Sequence, residues 1–150
     1  MRAEKRDVIL EPWKQGNIPP NVFRLRPNMK TVGQGKAYHW RVVRFAADAW
    51  SFRILIVLNE EKSIYRATLG QEVGEVVRIV CVREFHAREP GWHCHSVLLC
   101  HQGVSVWNHR DLRRFPRGVS ESDSFGITSR ERATALALRF YNVEQSGDLL

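Results

Sequence analysis

This sequence has little with which to cross a membrane or build a disulfide scaffold. Its longest apolar runs, such as Ile54 to Leu58, are strand-sized, well short of the ~20 residues a membrane-spanning helix needs. The opening Met1-Arg2-Ala3-Glu4-Lys5-Arg6 carries no apolar signal segment. Three cysteines, an odd number without regular spacing, favour a reduced compartment. The expectation is an intracellular, cytoplasmic protein. There is no internal repeat and no low-complexity tract, and lysine is absent after Lys62. A hydrophobic content of 43% beside 26% charged residues argues against general disorder. With 150 residues, the chain has room for one sizeable core.

What is abundant is positive charge. Lys and Arg number 23 against 16 Asp and Glu, a net charge of +7, and an excess of this sign favours an anionic polymer as partner. Nucleic acid is the first expectation. Every basic residue after Lys62 is Arg or His, and a guanidinium offers two parallel donors to phosphate oxygens. A coding bias toward arginine produces the same preference, so charge indicates a class of partner and not a site. The densest basic and aromatic cluster is Arg110, Arg113, Arg114 and Arg117 with Trp107 and Phe115. Flat rings beside arginine suit stacking of unpaired bases, and a solvated basic loop has the same composition.

The chain reads as α+β, with a central antiparallel sheet and flanking helices. Residues 1–36, punctuated by Pro12, Pro19, Pro20, Pro27, Gly16, Gly33 and Gly35, read as an irregular N-terminal arm; 37–144 form the single domain and 145–150 a tail. Tyr38 to Phe45 alternates, and Phe52 to Leu58 is a denser β-branched run, so both read as strands. Glu60 to Leu69 reads as a short helix. Val76 to His86 and Trp92 to Cys100 form the strongest hairpin candidate, with a further short strand at Val104 to Trp107. Near the end, Thr128-Ser129-Arg130-Glu131 matches a capping box. Ala133, Leu136, Ala137 and Phe140 then recur at helical spacing, with Tyr141 at the edge of the stripe.

The segment richest in chemistry is Glu84-Phe85-His86, a short turn, and Gly91-Trp92-His93-Cys94-His95 entering an apolar run. On a strand His93 and His95 share one face, and so do Glu84 and His86. Paired imidazoles beside a carboxylate can hold a divalent metal from Mg and Mn to Zn. Hairpin register decides whether the two pairs meet. A loop of even length places Glu84 on the His93 and His95 face, and an odd one places it on the other unless a bulge intervenes.

This order of strand, Glu84-Phe85-His86, Gly91-Trp92-His93-Cys94-His95 and a later helix with Tyr141 resembles the HUH endonucleases: rolling-circle replication initiators, relaxases and related single-strand transposases. Cys94 takes the middle position, where the family carries a bulky hydrophobic residue. The resemblance implies a nicking or strand-transfer site. His93 and His95 would bind Mg or Mn with Glu84 or His86 as third ligand, and Tyr141 would attack a phosphodiester of single-stranded DNA. A phenol with a pKa near ~10 needs a metal that polarises the phosphate. About one turn after its tyrosine the family commonly carries a lysine. Here Glu144 lies three residues on, and Arg139 or Arg132 are the nearest substitutes.

The leading expectation is therefore a metal-dependent single-stranded DNA endonuclease with a tyrosine nucleophile. Its first alternative is a nucleic-acid-binding module without nuclease chemistry. The second is a small metal-dependent enzyme acting on another substrate.

Overall fold

The computed structural model describes residues 4–86, 91–96, 113–115 and 129–143. Its framework is an antiparallel sheet whose strands follow one another across the molecule: β1 (Lys5–Leu10), β3 (His39–Ala47), β4 (Trp50–Asn59), β5 (Ile64–Val73), β6 (Val76–His86), β7 (Gly91–Ser96) and β8 (Arg113–Phe115). The short β2 (Lys14–Gln15) pairs with β3 beside β1. One helix, α1 (Arg130–Phe140), completes the described elements. The α+β expectation thus holds in its coarser form, a sheet-dominated fold with a helix.

Tight turns set the register of the three central hairpins, β3 to β6. Asp48 (φ 52°) turns β3 into β4, and Gly74 (φ 59°) turns β5 into β6, each in the left-handed region that two-residue hairpin loops need. Between β4 and β5 the chain turns through 60–63, where the Asn59 side-chain oxygen accepts from the Lys62 N–H at 3.0 Å and Ser63 has φ 50°. The helix expected over Glu60 to Leu69 is therefore corrected to this turn plus the first part of β5. Tyr65, Ala67 and Leu69 alternate with Arg66, Thr68 and Gly70, and pairing with both β4 and β6 satisfies the backbone on both sides.

The two faces of the sheet are covered differently. Val43, Phe45, Phe52, Ile54, Ile56, Leu58, Tyr65 and Ala67 form one core face, against which Ala133 and Ala137 of α1 pack. Trp40, Val42, Val57, Ile79 and Val82 form the other, covered by Ile18, Val22 and Phe23 of the N-terminal segment. That segment is anchored through the Trp40 indole N–H, which donates to the Gly16 carbonyl at 3.1 Å, and through the Val77 N–H, which donates to the Arg24 carbonyl at 2.6 Å. The arm is accordingly more regular than its Pro and Gly content suggests, with β1 and β2 adding to the sheet. Gly70 permits the closest approach: a Cβ there would lie 2.2 Å from Val77 Cγ1 and 2.7 Å from Phe23 Cζ. At the same point the β5–β6 register shifts between Leu69 and Gly70, leaving Val80 as the extra residue of a bulge.

Helix α1 begins one residue later than the capping-box reading places it. Its N-cap is Ser129, whose hydroxyl accepts from the Arg132 N–H at 3.1 Å. At the other end Asn142 adopts φ 52°, the Val143 N–H donates to the Leu138 carbonyl at 2.8 Å and the Asn142 N–H to the Arg139 carbonyl at 3.2 Å. This is a Schellman closure, and it makes Tyr141 the C-cap. Thr128, the 145–150 tail and the strand expected at Val104 to Trp107 lie outside the described residues.

Candidate nucleic-acid and metal site

The β6–β7 hairpin settles the register that the sequence left open. Residues 87–90 separate the strands, an even number, and Glu84 pairs directly with His93, Val82 with His95 and His86 with Gly91. Residues opposite one another in an antiparallel ladder share a face. Glu84, His86, His93 and His95 thus hold register positions on the face covered by the N-terminal arm. On the far side of β7, His95 pairs with Arg114, Cys94 with Phe115 and Ser96 with Arg113. The described end of the sheet therefore brings one carboxylate position, three histidine positions and Arg114 onto a common face over three adjacent strands. Arg113 and Phe115, by the same alternation, hold positions on the opposite face. Arg110, Arg117 and Trp107 lie outside the described residues.

Glu84 is buried, 1% exposed. A carboxylate taken this far from water needs compensation. Its cross-strand partner Arg66 supplies it: the Arg66 Nε–H donates to Glu84 Oε1 at 2.6 Å. The Arg66 side chain keeps 37% of its surface exposed, so the pair joins a buried anion to a cation that reaches solvent. A metal held by His93 and His95 would share the Glu84 carboxylate with this guanidinium. His86, at the hairpin end of the same face, would be the alternative third ligand. The donor types fit Mg, Mn or Zn, with the histidines placed by backbone register.

Tyr141 is placed elsewhere. It is 6% exposed and belongs to the core on the helix-covered face, together with Tyr65, Ala67 and Ala137. Its hydroxyl donates to the Ala67 carbonyl at 2.6 Å, with the Cys81 carbonyl 3.2 Å away. The ring meets Phe140 edge-on, with centroids 4.9 Å apart. Burial pushes the phenol well above its ordinary pKa, and the neighbouring Cys81 and Tyr65 push in the same direction. Each of these opposes nucleophilic attack, which needs an accessible, activated oxygen. Tyr141, the expected nucleophile, thus has the sheet between it and the histidine positions, and it packs helix α1 onto the core.

The remaining two tyrosines do not replace it. Tyr65 is buried on the same face as Tyr141, donates to the Ala133 carbonyl at 3.2 Å, and has its pKa raised mainly by burial. Tyr38 precedes β3, which three strands, β4 to β6, separate from β7 in the sheet order. The helix arginines considered as lysine substitutes, Arg132 and Arg139, are exposed residues of α1, which packs on the face away from Glu84.

Sequence reasoning named the histidines and Glu84 as candidates and did not name Arg66, the partner that makes burial of Glu84 tolerable. Its signal was present as a single arginine within an otherwise apolar, alternating stretch. Among the described residues, no helix is long and apolar enough to cross a membrane. Comparison with family models, with curated proteins and with solved structures gave no match.

Proposed function

We propose that this protein binds single-stranded nucleic acid at the β6–β7–β8 end of its sheet, on the face that carries Glu84, His93, His95 and Arg114. The carrying observation is the register that sets Arg114 opposite His95 and His93 opposite Glu84. It sets Arg114 of the arginine cluster beside the histidine motif on neighbouring strands. Guanidinium and imidazolium groups donate to phosphate oxygens, and the net charge of +7 supplies the long-range attraction. On this reading the chain keeps an HUH-like histidine motif and makes no covalent tyrosine link to DNA, because Tyr141 serves the core.

The second reading keeps a metal. It is favoured by Glu84 lying directly opposite His93, with His86 on the same face. Mg or Mn bound there would polarise a phosphodiester, and water would take the place of a tyrosine as nucleophile. In this reading Arg66 orients the Glu84 carboxylate, and Arg114 contacts the phosphate.

Fluorescence anisotropy of labelled single-stranded DNA, over a salt series and with Mn or chelator, tests both. The proposal expects binding that weakens steeply with salt and is reduced by Arg114→Ala. Salt-insensitive binding, or none at low salt, would overturn it. Metal-dependent cleavage abolished by His93→Ala would select the second reading.

A further inference from the structure

Between the N-terminal arm and the sheet lies a cavity of about 270 Å³. Phe23, Leu25 and Met29 line it from the arm, and Leu55, Ile79 and Val82 from the sheet. Thr68 and two larger polar groups interrupt these apolar walls. Arg66 is one, with its Nε committed to Glu84 and no other hydrogen bond among the described residues for its two terminal nitrogens. Gln34 is the other: its side-chain oxygen is buried and has no hydrogen-bond partner among the described residues, although its backbone N–H donates to the Asn17 side chain at 3.0 Å.

A buried acceptor without a donor is costly, by roughly 1–3 kcal/mol for a typical polar group. A guanidinium held through Nε by a buried carboxylate is fixed in orientation, with its fork still available for two parallel hydrogen bonds. The walls are apolar, the rim carries a fixed cation, and one interior acceptor lacks a donor. Small-molecule sites commonly combine an apolar lining with a few polar groups in this way.

We infer that this cavity binds a small amphipathic organic anion, with its apolar body under the arm, its anionic group on the Arg66 fork and an N–H or O–H donor facing Gln34. The inference does not rest on nucleic-acid binding, since the cavity lies over β4 to β6 and needs neither β7 nor β8. An aromatic carboxylate with a ring N–H has all three features. Indole-3-acetate is the probe for calorimetric titration, with indole lacking the anion and 1-methylindole-3-acetate lacking the donor.

Saturable one-to-one binding of indole-3-acetate is expected, about 10-fold weaker for each analogue. Arg66→Lys keeps a cation beside Glu84 but removes the fork, and should weaken binding by a similar factor. Leu55→Trp fills the cavity and should abolish binding while leaving the far-ultraviolet circular dichroism unchanged. Absence of saturable binding at millimolar probe, or binding indifferent to Leu55→Trp in a folded variant, would overturn the inference.

Discussion

Tyr141 and Glu84 lie on opposite faces of the same sheet. The phenol donates to the Ala67 carbonyl at 2.6 Å under helix α1, and the carboxylate accepts from Arg66 at 2.6 Å beneath the N-terminal arm. Each is almost fully buried, and each has its own partner. A mechanism passing a phosphate between Tyr141 and a metal at His93 and His95 would need both on one face. The geometry places the tyrosine in the core between helix and sheet, away from the histidine positions.

Tyr141→Phe should therefore destabilise the fold without weakening nucleic-acid binding. The substitution removes one buried donor and leaves the Ala67 carbonyl without it, at a cost of about 1–2 kcal/mol. Urea unfolding measures the loss, and anisotropy with single-stranded DNA should superimpose on the parent curve. A weakened DNA curve with unchanged stability would reverse the assignment.

The same two buried phenols set an alkaline limit. Folding raises the pKa of Tyr141 and Tyr65 above the ordinary value of ~10, chiefly by burial. In the unfolded chain the phenols lose their protons first as pH rises, so the folded state binds more protons there and stability falls with pH. The contribution is fully present below about pH 10 and is lost as pH rises above it. Stability curves from pH 8 to 11 should bend downward near the upper end, and Tyr141→Phe should make that limb shallower. An unchanged limb would mean that the Tyr141 phenol does not govern it.

Gly70→Ala should loosen the N-terminal arm. A Cβ at this position meets Val77 and Phe23 closer than van der Waals contact allows, so both must give way. Overpacking of this kind costs about 1–3 kcal/mol. Limited proteolysis should cut within residues 17–36 faster in the variant, and a truncated Phe23→Ala, Gly70→Ala pair should recover part of the loss. Identical cleavage rates would show that the arm is held independently of this contact.

The fold was legible where hydrophobic periodicity and turn chemistry agreed. Strands β3 and β4, the β6–β7 hairpin and the stripe of α1 follow from alternation, an even loop and helical spacing. Strand β5 was misread because Glu60, Glu61 and Lys62 are good helix formers next to Ile64. What overrides them is placement between β4 and β6, which local sequence does not display. Strands β1 and β2 likewise depend on pairing with β3, some 30 residues later in the chain. Of the site, Glu84 and the two histidines were visible as a motif whose face depended on loop parity. The face chosen by α1 was not visible, because an apolar helical stripe fits either side of a sheet whose two sides are both apolar. That choice decides the role of Tyr141. Arg66 escaped notice for a related reason: its importance comes from the burial of a residue 18 positions away.

The most direct measurement incubates the full chain with end-labelled single-stranded DNA pools, with Mn and with chelator, alongside Tyr141→Phe and His93→Ala. Covalent protein–DNA bands are resolved on denaturing gels, and retained complexes on native ones. The account predicts salt-sensitive complexes with the parent and with Tyr141→Phe, and no covalent band in any lane. A Mn-dependent covalent band that disappears in Tyr141→Phe would contradict it.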